Sequence, residues 1–396
     1  MPYLIVFLLA LLFTYRYDIK KYAQRKETAY FILFLAAVLL AGCRYVVGGD
    51  TVRYMRYWDE YPKFGEGNIF YEARFDPLWT LLSVACKSIC DDFVFFQFVH
   101  AILLNAILFY GVFKKQDFFK EKRFTVVLFY FVYYFLYFNM EVLRESLAVA
   151  VILLGFPYLN NHKWLNYYLF FTIAFLLHSS AIIAVFFPFL WNKRLTKIKV
   201  VACCLIAVAV FTFLGELLKY LPITEMLMFK YDLYVDAGMN ANGKILRFVL
   251  YIFIPLMLIY INDNLLRRKS SVYSRFYMIF IFVASISIAN TAFGGRFLNY
   301  VCMLMIGYYV YILYNISKSR YFEGIKKIVV LLLIVCPLGY NYRIYFENHS
   351  YILKGAKGSF RWYPYTNIFQ RGAPEIEKLV SDREYYVDML MFNQRK

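Results

Sequence analysis

The stretch FVFFQFVHAILLNAILFYGVF, residues 93–113, runs 21 positions without a charged side chain and stops against Lys114 and Lys115. A helix needs about 18–20 apolar residues to cross the hydrocarbon of a bilayer, so this stretch reads as one complete crossing. Comparable runs recur on both sides of it, from residue 3 to about residue 345, with no long soluble stretch between them. Hydrophobic residues fill 62% of the 396 positions, against about half in a soluble chain. Much of that apolar surface requires lipid. The expected fold class is all-α, a polytopic integral membrane protein with one continuous membrane domain over residues 1–345.

The formal net charge of +18 would also suit a nucleic-acid binder. Here the Lys and Arg residues sit in short clusters between apolar runs, as topology determinants do, which points to membrane lipids and not to nucleic acid as the partner. Five of the seven cysteines (Cys43, Cys203, Cys204, Cys302 and Cys336) lie in or at the ends of apolar runs, so no disulfide framework is expected. Cys86 and Cys90 are followed by no His or second Cys pair at zinc-site spacing, and no metal is expected. Residues 3–13 have no basic residue before them and no small-residue cleavage site after them, so they read as a retained spanning helix.

The basic clusters order the crossings. Arg16, Lys20, Lys21, Arg25 and Lys26 belong in the cytoplasm by the positive-inside rule, which puts the N-terminus outside. Residues 30–47 then lead out to an external loop, 48–76. The next cluster, Lys114, Lys115, Lys120, Lys122 and Arg123, allows only the crossing 93–113 after that loop. Residues 77–89 are left as a short helix lying on the outer face or re-entering part-way. Residues 124–138 go out and 142–159 return. Residues 165–191 begin and end beside basic residues and must form a short helical hairpin with His178 near its apex. Residues 198–218, a second external loop 219–244, and the runs 245–261, 276–292, 297–314 and 328–345 bring the count to about twelve transmembrane helices. Residues 346–396, mixed in charge and rich in turn residues, read as an external C-terminal tail with a short helix near 375–391.

At membrane depth the informative residues are ionisable ones, because burying them costs several kcal/mol unless they are paired or wet. The first loop opens Gly48-Gly49-Asp50-Thr51-Val52-Arg53-Tyr54, with Arg44 before it and Arg56 after it. A carboxylate among arginines beside two glycines can act as a base while the arginines hold phosphate; equally, these charges can pair with one another on a surface loop. Glu141 and Arg144 share a helix face by their i, i+3 spacing, either as an intrahelical ion pair or with Arg144 held for an anionic ligand. His178, followed by two serines at the hairpin turn, is either a hydrogen-bonded packing residue or part of a cavity lining. Arg247 and Arg296 stand at the outer ends of their helices, where snorkelling is the alternative. Together Arg44, Arg53, Arg144, Arg247 and Arg296 all map to the outer half of the bilayer, a pattern suited to a phosphate-bearing substrate. Most of the outer aromatics, Tyr54, Tyr57, Trp58, Tyr61, Tyr71, Trp79, Trp362 and Tyr363, are expected to be interface anchors.

Three motifs in order, Gly48-Gly49-Asp50-Thr51-x-x-Tyr54, Leu143-Arg144-x-x-Leu147-Ala148 and Phe175-Leu176-Leu177-His178-x-Ser180-Ala181, resemble the EpsG family of Wzy-like proteins of exopolysaccharide and capsule synthesis. The resemblance implies polymerisation of undecaprenyl-diphosphate-linked oligosaccharide repeat units at the outer face of the bacterial cytoplasmic membrane, without a nucleotide sugar. It further implies that Arg144 and Arg296, then Arg53 and Arg247, with Arg44 and Tyr54 beside them, hold the diphosphate. Asp50 is the preferred base, with His178 and Glu141 as alternatives. No Asp-x-Asp motif stands in an external loop, so arginines and not a metal or other cofactor are expected to meet the leaving charge. A chain-length regulator and a flippase are the expected assembly partners. Two other classes fit the same features: a flippase or transporter of lipid-linked oligosaccharides, and a related membrane glycosyltransferase or ligase with another acceptor.

Overall fold

The computed structural model describes residues 2–70, 75–220, 241–267, 272–319, 323–340 and 342–393. Helices of all kinds make up 77% of the chain and there are no strands among the described residues. Six helices there are long and apolar enough to cross a membrane: Pro2–Ile19, Phe93–Phe113, Leu143–Asn160, Asn242–Leu265, Val272–Ala289 and Gly294–Ser317. Of the other runs expected to cross, 198–218 falls within the 24-residue helix Lys197–Tyr220, part of whose side chains lie outside the described residues, and the rest form shorter helices, among them Lys26–Gly42, Arg123–Tyr133 and Ile325–Tyr340. Of the expected second external loop, residues 221–240 lie outside the described residues, as do Tyr71 and the basic residues Arg268, Lys269 and Arg320.

The chain divides into two compact units, residues 1–181 with 341–394, and residues 182–340. The first unit contains α1 (Pro2–Phe13, continued by a π turn to Ile19), α2 (Lys26–Gly42), α3 (Gly49–Arg56), α4 (Pro77–Ile89), α5 (Phe93–Ala106, continued as a π-helix to Phe113), α6 (Arg123–Tyr133), α7 (Phe135–Met140), α8 (Leu143–Asn160) and α9 (Trp164–Leu177). Long-range contacts give their directions. The Tyr30 hydroxyl donates to Phe109 O at 2.9 Å, while Gly42 packs on Phe98, so α2 and α5 are antiparallel. Tyr17 stacks on Phe124 and Tyr3 reaches Met140, so α1 opposes α6–α7. His100 meets Leu143 O and Gln116 meets Leu153 O, so α5 and α8 run the same way.

One consequence concerns charge. The two basic clusters meet at one end of this unit, where Lys114 and Arg123 both bind Glu27 and Lys122 binds Asp18 O. The motif residues collect at the other end. α8 is the most enclosed helix here, with most of its apolar residues buried, whereas α1 exposes Leu4, Ile5, Leu8, Leu11 and Leu12. In a membrane that exposed row faces lipid.

Residues 346–393, read from the sequence as a tail, pack onto the loop at 43–56. Ile352, Ala356, Val380, Tyr386 and Val387 form a small apolar core with Tyr45, Val46 and Val52. Backbone bonds join the two segments at Tyr45 N to Thr366 O (2.9 Å), Gly48 N to Arg361 O (2.7 Å) and Ile368 N to Cys43 O (3.0 Å). The last helix, Pro374–Asn393, carries Arg383, which is fully buried and donates to Val46 O (2.6 Å), Phe360 O (3.1 Å), Pro364 O (2.9 Å) and Thr366 Oγ1 (3.3 Å).

The second unit comprises the C-terminal side of the short hairpin, the helix Lys197–Tyr220, the interrupted helix Asn242–Leu265, and a closely packed pair, Tyr277–Ala289 and Thr291–Ser317, followed by Ile325–Tyr340. The pair turns at Asn290 in extended conformation. A Cβ at Gly294 would lie 2.0 Å from Ser287 Cα, so only glycine permits this approach.

Candidate functional site

The GGD motif sits at the start of α3. Gly48 has φ +106°, in the left-handed region, and a Cβ there would lie 1.8 Å from Met140 O. The position therefore demands glycine twice, for conformation and for space. Gly48→Ala is expected to destabilise the protein by at least ~1–3 kcal/mol from backbone strain alone. A thermal-unfolding midpoint unchanged from wild type would contradict this reading.

With the backbone turned so, the N-terminal N–H groups of α3 point at Glu141. Gly49 N donates to Glu141 Oε1 at 2.8 Å and Asp50 N to Oε2 at 3.2 Å. A carboxylate at a helix N-terminus satisfies groups that would otherwise be unpaired and meets the positive end of the dipole. Arg361 brings its guanidinium to 3.9 Å from the same carboxylate. Burial pushes the Glu141 carboxyl above the usual range, against the pull of Arg361 and the two N–H donors.

The intrahelical pairing allowed by the spacing of Glu141 and Arg144 is not what forms. Glu141 precedes the first residue of α8, Leu143, so the two side chains leave in different directions. Arg144 instead binds Asp76 Oδ2 at 2.9 Å, donates to the Tyr54 hydroxyl at 3.3 Å, and lies over the Phe75 ring at 4.3 Å. Trp79 packs on Tyr54. Asp50 and Arg53 stand beside this group with side chains 40% exposed and 3.8 Å apart. Arg144 and Asp76 are less open, at 21% and 18%.

Arg44 lies beneath the loop, fully buried. Its guanidinium donates to Val47 O, Ala41 O and Thr51 Oγ1, so each of its nitrogens has a protein acceptor. It holds the turn that presents Gly48 and Gly49.

His178 ends α9, buried, with Nδ1 accepting from Ser180 N at 3.1 Å and 2.7 Å from Ser180 Oγ. α8 and α9 form an antiparallel hairpin in which Gly155 touches Tyr167 and Phe170. Stepping back along α8 from Gly155 and the same distance forward along α9 from Tyr167 brings Arg144 and His178 to one level. The first unit thus gathers Asp50, Arg53, Tyr54, Glu141, Arg144 and His178 at one end.

Arg247 and Arg296 belong to the second unit. Arg247 Nη1 donates to Ser287 O at 3.2 Å, and Ser287 is the residue against which Gly294, two before Arg296, is packed. Both arginines therefore occupy the same end of that helix pair.

Two participants escaped sequence reasoning. Asp76 had a readable role as the residue before a helix-opening proline, but nothing local named its partner. Arg361 had no signal at all. Four aromatics also differ from expectation: Tyr54, Trp58, Trp79 and Trp362 are 1–8% exposed and pack inside the protein, Trp58 and Trp79 on Phe96 of α5, Tyr54 on Trp79 and Trp362 on Tyr345, while Tyr363 is exposed. Among the described residues no cluster of His, Cys, Asp or Glu could hold a metal ion.

No curated protein and no solved structure matches the chain. The family model of the EpsG family, a Wzy-like polymerase family, matches residues 27–367, which takes in all three motifs, Asp76 and Arg361. With that match over most of its length, and with the motif residues assembled at one end of an all-helical unit, the chain belongs to the EpsG family.

Proposed function

We propose that this protein polymerises lipid-linked oligosaccharide repeat units, using undecaprenyl diphosphate as the leaving group, at the outer face of the bacterial cytoplasmic membrane. In this reading it crosses about twelve times with both termini outside, and works beside a flippase and a chain-length regulator. Membership of a polysaccharide-polymerase family supports the activity. The observation that carries the site is the grouping of Arg144, Asp50, Arg53 and Tyr54 at the mouth of the enclosed helix α8.

The chemistry follows from charge. A terminal sugar hydroxyl of the acceptor attacks the anomeric carbon of the donor; the new glycosidic C–O bond forms as the C–O bond to diphosphate breaks, and the hydroxyl proton passes to a base. Negative charge grows on the departing diphosphate. A preorganised guanidinium in a partly dehydrated site is suited to hold it, because it stays charged and binds two oxygens at once. Arg144 is the first choice, with Arg53 beside Tyr54 and Arg361 at Glu141 on the same end of the first unit. Asp50 is the preferred base, being half-exposed, whereas the Glu141 carboxylate is occupied as the cap of α3. His178, on the level of Arg144, is the alternative base.

The test is the size distribution of lipid-linked products in cells lacking the gene, complemented with wild type or Asp50→Asn. Single repeat units should accumulate outside without the gene, and Asp50→Asn should lower polymer about 10²–10⁴-fold. Repeat units held on the cytoplasmic face would replace this reading with that of a flippase. Polymer of normal length transferred to the wrong acceptor would point to a ligase.

A further inference from the structure

The end of the first unit remote from the motifs contains a feature that the polymerase reading does not use. The turn after α1, the start of α2 and residues 121–122 line an open cavity of about 560 Å³. Four cations line it, Lys21, Arg25, Lys26 and Lys122. Three carboxylates also line it, but two are already engaged. Asp18 is 2% exposed and turns its carboxylate inward to Thr125 N (2.7 Å) and Thr125 Oγ1 (2.8 Å). Glu27 binds Lys114 at 2.7 Å and Arg123, two cations from outside the lining. With Glu27 matched by cations from outside the lining, Asp18 and Glu121 are set against four cations, one of them, Lys122, bonded to Asp18 O, so the balance of charge here is positive. Lys21 and Arg25 both have left-handed backbone, φ 59° and 56°, a strained choice for non-glycine residues, and both line the cavity.

Its depth can be read from α1. One end of that helix carries Tyr3, whose hydroxyl donates to Trp362 O at 2.9 Å beside the motif cluster. The other end supplies Tyr17 and Asp18 to the cavity wall. Pro2–Ile19 spans 18 residues, roughly 27 Å at helical rise, close to the thickness of bilayer hydrocarbon. The cavity therefore lies at the head-group level of the leaflet opposite the motifs. Its edge continues into apolar surface: Tyr15, Ile19 and Tyr22 are exposed there, and the exposed leucines of α1 run on from them.

We propose that this cavity is a binding site for the phosphate-bearing head group of an anionic phospholipid, whose acyl chains lie along the exposed face of α1. Lys and Arg together suit a phosphodiester, the guanidinium by its paired donors and the ammonium groups as point charges. A free anion would use the cations but leave the adjoining apolar face without a role. The site is independent of the polymerase reading.

The experiment is native mass spectrometry of the full chain, purified and mixed with equal amounts of phosphatidylglycerol and phosphatidylcholine. Wild type should retain phosphatidylglycerol preferentially. Lys21→Glu with Arg25→Glu should weaken retention by at least about 30-fold, since each basic residue near the surface adds roughly a fivefold preference for anionic lipid and each reversal adds a repelling charge besides. Lys193→Glu with Lys199→Glu, an equal charge change in another basic segment, should leave it unchanged. No lipid preference in wild type, an equal loss in the second pair, or displacement of the lipid by inorganic phosphate would each overturn the proposal. Should the double reversal fail to fold, Lys21→Gln with Arg25→Gln takes its place, and retention unchanged by that pair overturns it too.

Discussion

Arg144→Ala is expected to lower polymer synthesis by about 10²–10³-fold, the loss typical when one preorganised donor to a developing anion is removed. Protein level in the membrane should stay near that of wild type. Arg144 is held from three sides, by Asp76 at 2.9 Å, the Tyr54 hydroxyl at 3.3 Å and the Phe75 ring at 4.3 Å. Those contacts fix the plane of the guanidinium. Arg144→Lys should therefore recover little, because an ammonium cannot stack or fork in the same way. A structural role would give a different pattern. Asp76, only 18% exposed, loses the Arg144 guanidinium in this variant, and a carboxylate deprived of that positive charge would by itself disturb the loop. Asp76→Asn combined with Arg144→Ala removes that disturbance. If the double variant regains polymer, Arg144 serves only to neutralise Asp76, and its place in the site is lost. If it folds normally and stays inactive, the guanidinium acts on the substrate.

Arg383→Ala is expected to be the most destabilising single change outside the helical core, by about 3–5 kcal/mol. Its guanidinium is fully buried and satisfies three backbone carbonyls and one hydroxyl, drawn from the loop after α2 and from three points of the C-terminal segment. Removing it strands those acceptors away from water. The segment 346–393 should then come loose, exposing it to limited proteolysis, and Arg361 should leave Glu141. Polymer synthesis would fall with it. The comparison is Arg56→Ala, which breaks an ion pair with Asp388 whose side chains are 44% exposed. An exposed pair of this kind is worth at most about 1 kcal/mol, so that variant should resist protease as wild type does. Equal sensitivity of the two variants would show that Arg383 does not hold the segment in place.

The candidate site was legible in part. Asp50, Arg53, Tyr54, Arg144 and His178 stood out because charge and hydroxyls beside long apolar runs are costly unless used, and the fold gathers them at one end of the first unit. Glu141 stood out too, but its i, i+3 distance from Arg144 describes a shared face only if both belong to one helix. α8 begins at Leu143, and the backbone before it turns Glu141 onto α3 instead. Arg44 read as one more outer arginine, and only the folded loop spends its donors on Ala41, Val47 and Thr51.

The sequence by itself determined the helical membrane class, the alternation that brings both basic clusters of the first unit to one end, and the motif residues at the other. These are local properties: run length, charge and spacing are each fixed within a single helix or the turn beside it. Tertiary structure alone decided that Arg361 meets Glu141, that Arg383 fastens the C-terminal segment over the first loop, and that Trp58, Trp79 and Trp362 are interior. Each joins residues far apart in the chain through hydrogen bonds and packing that leave no periodicity, so no local pattern can announce them.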